Sequence, residues 1–134
     1  MKDYINEIVK LLEASPFVMF GYLFGSRSLN ANGPGSDWDI ALYFREYPAK
    51  NNPWLRFTIQ AELSAILKTD AVDIIILNNL QQPSFAFDII NEGTILVDKK
   101  PSERILFEAK VLNRYFDWQY FLKRHLQVNK REKI

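Results

Sequence analysis
The chain has 134 residues, one domain's worth, and its 48% apolar and 14% aromatic content excludes disordered and low-complexity classes. With no Cys and a single His, His125, it can build no disulfide scaffold, thiol nucleophile, Cys-ligated zinc, iron–sulfur cluster or multi-histidine site. The net charge of +1 hides an uneven distribution: residues 1–98 carry 7 basic and 12 acidic side chains, residues 99–134 carry 10 basic and 4 acidic.

Taken in chain order, Ile5, Ile8, Val9 and Leu12 recur at helical spacing and predict an amphipathic helix that ends near Ser15, before Pro16. The unbroken apolar run 17–24 predicts a strand buried on both faces. A polar, glycine-rich stretch follows, and the alternating 37–44 predicts a second strand. Asn52 and Pro53 predict a helix start as cap and first residue, with Leu55, Ile59, Leu63, Ile66 and Leu67 as its buried stripe up to Lys68. Residues 71–77 predict a third strand, and 83–93 a short helix closed by Gly93. Residues 94–98 predict a fourth strand. From Ser102 to Val128 the spacing of Ile105, Ala109, Leu112 and Phe116 predicts one long helix, with 129–134 a frayed tail. No repeat or linker divides the chain, so 1–134 reads as one α+β domain, a sheet with helices packed on it. The dozen residues between the first two strands leave their relative direction open. No apolar run reaches the roughly 18 residues needed to cross a bilayer, and the N-terminal charges leave no signal-peptide core. A cytoplasmic location without a membrane partner is the expectation.

Chemistry concentrates in residues 25–39. Gly25 and Ser26 follow the first strand directly, and Asp37 and Asp39 stand ten residues on, separated by Trp38. Side chains alternate along a strand, so the two carboxylates share a face about 6.5–7 Å apart and repel unless a cation lies between them. Hard oxygen ligands favour Mg²⁺, with Mn²⁺ the alternative. Gly25 lets the backbone approach a ligand closely, and a helix beginning at Ser26 would aim free N–H groups at a phosphate. Phosphate donors and a carboxylate pair in one segment point to a nucleoside triphosphate–Mg²⁺ site. Asp73 lies in an otherwise apolar strand, where a charge is costly unless paired, solvated or bound to a cation. Beside the second strand it would complete a three-carboxylate cluster. Each acid alone also fits a solvated strand end; together, at this spacing, they favour the site.

Gly-Ser, ten residues, Asp-x-Asp and a later Asp in a hydrophobic strand resemble the nucleotidyltransferase superfamily that includes DNA polymerase beta. The length is similar to that of the minimal nucleotidyltransferase (MNT) antitoxins paired with HEPN ribonucleases. Gly25, Ser26 and Arg27 match the family pattern, whereas Leu29 and Asn30 stand where many members carry Arg and Gly. The resemblance implies a nucleotidyltransferase fold with a central mixed four-stranded sheet and a long C-terminal helix. It implies two Mg²⁺ ions held by Asp37, Asp39 and Asp73, and outer phosphates bound by Gly25, Ser26, Arg27 and Ser36. It further implies transfer of AMP from ATP to a tyrosine of a HEPN toxin encoded nearby, held in a heteromeric complex; direct nucleic-acid binding is not expected.

Two other functions compete: a small-molecule nucleotidyltransferase of the aminoglycoside-modifying kind, and a non-catalytic antitoxin that silences its partner by binding. At this length the template-binding and extra substrate domains of larger relatives are not expected, which favours an acceptor brought by another protein. The aromatic stretch 115–121 fits either core packing of the last helix or a partner surface. Trp38 reads as core, and His125 as a surface residue.

Overall fold
The computed structural model describes residues 2–25, 37–47 and 52–132, except the side chains of 2, 3 and 127–132. The elements follow as α1 (Lys2–Ala14), β1 (Val18–Phe24), β2 (Trp38–Phe44), α2 (Leu55–Leu67), β3 (Val72–Ile76), a 3-10 turn (Leu77–Asn79), α3 (Pro83–Glu92), β4 (Thr94–Asp98) and α4 (Pro101–Glu132). The sheet order is β3-β2-β1-β4, with β1 antiparallel to both β2 and β4 and β2 parallel to β3. This is the expected mixed four-stranded sheet, and it settles the direction of the first two strands. The β2–α2–β3 unit supplies the parallel pair because a helix returns the chain to the same end of the sheet.

The two sheet faces bury separate cores. On one, Ile8 and Leu12 of α1 and Leu55, Ile59, Leu63 and Leu67 of α2 pack on Trp38, Ile40, Leu42 and Phe44. On the other, Ile89 of α3 and Phe107 of α4 pack around Phe20, Tyr22, Ala41 and Leu77. β1 is buried on both faces, as an unbroken apolar run requires. Beyond β3, the Asn78 amide extends the β2–β3 pairing: it donates to the Phe44 carbonyl and accepts from the Phe44 N–H, both at 2.9 Å.

Three local expectations change. α2 begins at Leu55 rather than at Pro53; Leu55 N–H donates to the Asn52 backbone oxygen at 3.2 Å, and Trp54 takes the cap position without a side-chain bond. Helix geometry starts at the first buried residue, Leu55, and the Asn52–Trp54 turn only leads into it. Gly93 ends α3 as expected, but with an extended backbone (φ −73°, ψ 155°) rather than the left-handed cap. Glycine is required there for space: a Cβ would stand 2.3 Å from the Ile89 carbonyl oxygen and 3.3 Å from the Leu23 oxygen. α4 runs through Glu132 and takes in most of the expected tail, since 102–132 contain no Gly or Pro to stop it.

The inward face of α4 is a different set from the residues whose spacing predicts the helix. Val111 is buried and Phe107 and Tyr115 are half-buried, while Ile105, Ala109, Leu112 and Phe116 are exposed. The reason lies in a polar clamp at the start of the helix. Arg104 Nε donates to Asp98 at 2.8 Å, Arg104 Nη1 donates to Glu108 at 2.9 Å, and the Tyr22 hydroxyl donates to the other Glu108 oxygen at 2.6 Å. Burial and the Glu108 carboxylate hold the Tyr22 phenol above its ordinary value, so it stays a donor. The clamp turns Arg104 and Glu108 toward the sheet and rotates Ile105 and Leu112 away from it.

Candidate active site
β2 alternates between the two cores. Trp38, Ile40, Leu42 and Phe44 face α1 and α2, which leaves Asp37, Asp39, Ala41 and Tyr43 on the α3–α4 face. Trp38 is buried and meets Tyr4 edge-on at 6.3 Å, as its reading as core expects.

The parallel register sets Asp39 directly beside Asp73, with Trp38 beside Val72 and Ile40 beside Ile74. Val72 and Ile74 are buried and Asp73 is exposed, so the acid in the apolar strand emerges on the same open face as Asp39. Asp37 precedes Asp39 by one pleat repeat at the exposed strand start. On the other side, the antiparallel register places Phe24 opposite Asp39. Gly25 follows with φ +75°, and a Cβ there would come within 2.5 Å of Asp39 Oδ2. At Gly25 the backbone thus runs close against the Asp39 carboxylate.

Asp39 is pushed above the ordinary carboxylate range, first by burial and then by the negative charges of Asp73 and Asp37. Among the described residues no Lys or Arg ion-pairs with any of the three acids. Nor does any group of three His, Cys, Asp or Glu side chains there close into a metal cage. The donor set still fits a hard divalent cation: oxygen ligands only, adjacent by strand register, with mutual repulsion that a cation would relieve. Ser26, Arg27 and Ser36, expected to bind phosphate, lie outside the described residues, as does the helix expected to start at Ser26.

The same sheet face carries a cleft of about 430 Å³ lined by Tyr43, Leu77, Leu80, Phe107, Lys110 and Arg114 among others. Tyr43 lies four residues along β2 from Asp39, about 13 Å, so this cleft is separate from the carboxylates. The Tyr22–Glu108–Arg104–Asp98 clamp escapes a reading by motif, since a Tyr in an apolar strand looks like core. The signal present was the Arg104/Glu108 pair at helical spacing just after Asp98. His125 is exposed on α4 and stacks against Phe121 at 5.8 Å.

Residues 6–102 match the family model described as Polymerase beta, Nucleotidyltransferase. A relative, Protein adenylyltransferase MntA of Aphanizomenon flos-aquae (strain 2012/KM1/D3), is 31% identical over 125 residues, 84% of this chain and 83% of its own. A crystal structure of a toxin–antitoxin with AMP-PNP superposes with a TM-score of 0.72 at 25% identity, covering 96% of this chain and 98% of that one. A structure of tri-AMPylated Shewanella oneidensis HEPN toxin in complex with MNT antitoxin superposes with a TM-score of 0.68 at 23% identity, covering 98% of both chains, and attests the fold. The sheet order, the paired acids and these matches agree: the chain belongs to the polymerase beta nucleotidyltransferase family.

Proposed function
We propose that the protein is an antitoxin that transfers AMP from ATP to a tyrosine hydroxyl of a partner HEPN ribonuclease, with release of pyrophosphate. The observation that carries this reading is the pairing of Asp39 with Asp73 by strand register, with Asp37 on the same face and Gly25 against Asp39. The MntA relative is a protein adenylyltransferase, and the AMP-PNP complex supports ATP as the donor.

Asp37, Asp39 and Asp73 would hold two Mg²⁺ ions, or Mn²⁺. Bound there, the ions supply charge neutralisation of the triphosphate and lower the pKa of the acceptor hydroxyl. Gly25 keeps the end of β1 close to Asp39, where any side chain would collide with the carboxylate. Ser26, Arg27 and Ser36 are assigned to the outer phosphates. The acceptor oxygen bonds to the α-phosphorus as the bond to the β-phosphate oxygen breaks, and pyrophosphate leaves. Asp73, exposed at the outer side of the cluster, accepts the hydroxyl proton. The transferred phosphate adds negative charge and bulk at the partner's RNA-cleaving site, which disfavours an anionic substrate there.

The test uses ATP labelled at the α-phosphate, Mg²⁺ and the product of the adjacent reading frame, which this reading expects to be a helical HEPN protein. Label should pass to a tyrosine of that protein with wild type and not with Asp37→Ala/Asp39→Ala. If the double variant blocks the partner's activity as well as wild type and neither labels it, neutralisation works by binding and the transfer reading fails.

A further inference from the structure
The cleft on the α3–α4 face lies at the opposite end of the sheet from the carboxylates. Asp39 and Asp73 stand near the starts of the parallel strands β2 and β3, whereas Tyr43 stands at the end of β2 and Leu77 just past the end of β3. About 13 Å of strand separates Tyr43 from Asp39. Ala41, Phe20, Tyr22 and Ile89 fill the face between the two places as core. The cleft is therefore a second concave site. Its volume of about 430 Å³ falls within the range of small-molecule pockets, roughly 300–1,000 Å³.

Its floor is apolar and held in place. Tyr43 stacks on Phe20 at 4.7 Å and meets Phe107 at 5.4 Å, with Leu77 and Leu80 beside them. Tyr43 and Phe107 are half-buried and line the cleft, so rings fixed by their neighbours present a preorganised surface to it. The rim is cationic. Lys110 and Arg114 stand one turn apart on α4, with about 5–6 Å between their Cβ atoms, and both line the cleft. Like charges at that spacing oppose each other. Among the described residues neither has an ion-pair partner, and no Asp or Glu lines the cleft. Asn113 adds a side-chain amide, at once donor and acceptor.

Each feature narrows the ligand. Two cations on one rim match an anion of two charges, and a phosphate monoester carries about −1.5 to −2 at neutral pH. Arg114 offers it a planar fork of donors and Lys110 a point charge. The ring floor suits a flat π-face better than sugar hydroxyls. The Asn113 amide matches the heteroatoms at the edge of such a ring. With no carboxylate among the described lining residues to hold a divalent ion, a Mg²⁺-chelated triphosphate is disfavoured. We propose that this cleft binds a nucleoside monophosphate, with its phosphate between Lys110 and Arg114 and its base against Tyr43 and Phe107. The site needs no metal, and it stands independently of the transfer reading and of the triphosphate site assigned to Asp37, Asp39 and Asp73.

The test is calorimetric binding of AMP to the whole chain in EDTA, where the three acids at the other end of the sheet repel phosphate. AMP should bind, and added salt should weaken it. It should bind at least about tenfold more tightly than ribose 5-phosphate, which keeps the phosphate and lacks the base. Lys110→Gln/Arg114→Gln alters two exposed positions, so its melting curve should match that of wild type while AMP binds at least about tenfold more weakly. Asp37→Ala/Asp39→Ala should bind AMP as wild type does, with or without Mg²⁺. No binding at millimolar AMP, or unchanged affinity in Lys110→Gln/Arg114→Gln, overturns the proposal. So does loss of binding in Asp37→Ala/Asp39→Ala, which places AMP at the carboxylates. Equal affinity for ribose 5-phosphate overturns it as well, because the ring floor then reads no base. None of these outcomes depends on AMP transfer to a partner.

Discussion

Asp39 is where function and stability oppose each other. Burial and two neighbouring carboxylates make the folded state hold its proton more tightly than the unfolded chain does. Without a divalent cation, stability contributed by this group is therefore present at low pH and lost as pH rises from the ordinary carboxylate value through the raised one. Asp39→Asn should melt at a higher temperature than wild type at pH 7 without divalent cation. The difference should vanish below the ordinary carboxylate range, while AMP transfer is abolished; melting curves over pH 3–8 check it. Gly25→Ala meets two obstacles, the positive φ and the Asp39 oxygen 2.5 Å away. It should cost about 1–2 kcal/mol of stability and reduce transfer at least tenfold, measured by denaturant titration and by initial rates.

At the scale of elements, α4 is held to the sheet by few groups, of which the Arg104 clamp is the polar part. Arg104 serves Asp98 and Glu108 together, and both carboxylates favour its charged form. Arg104→Met would leave two partly buried carboxylates near each other, one of which, Asp98, already has an oxygen without a partner. The expected loss is about 2 kcal/mol, discounted from a fully buried pair because the groups remain part-exposed, or roughly 6 °C in melting temperature. Tyr115 fluorescence should also change if the helix loosens from Phe87. The boundary of α2 carries a related lesson: a good cap residue at Asn52 did not start the helix, because Leu55 is the first side chain with a core to enter.

For the molecule as a whole, the two sheet faces are unequal. The α1–α2 face is closed with apolar residues, whereas the α3–α4 face ends in three acids without a cation among the described residues. Ligand binding to the folded state alone raises its stability by mass action, about 2.7 kcal/mol at a hundredfold excess over the dissociation constant. Mn²⁺ or Mg²⁺ should therefore raise the melting temperature of wild type, and EDTA should reverse it. Asp37→Asn/Asp39→Asn should not respond. An equal response in both proteins would move the cation elsewhere.

Asp37, Asp39 and Asp73 were legible as candidate site residues in the linear chain because strand alternation and the cost of an acid in an apolar strand are local properties. The order of helices and strands was equally legible, since buried runs and amphipathic spacing need no knowledge of neighbours. Three matters waited on the tertiary structure. The antiparallel sense of β1 and β2 depends on how a long connection closes, which composition does not encode. The contact between Gly25 and Asp39 joins residues fourteen apart, and only strand pairing brings them together. The face that α4 presents is set by the clamp from Tyr22 and Asp98. Helical spacing alone shows that Ile105, Leu112 and Phe116 share a stripe; it cannot show whether that stripe meets the sheet or the solvent.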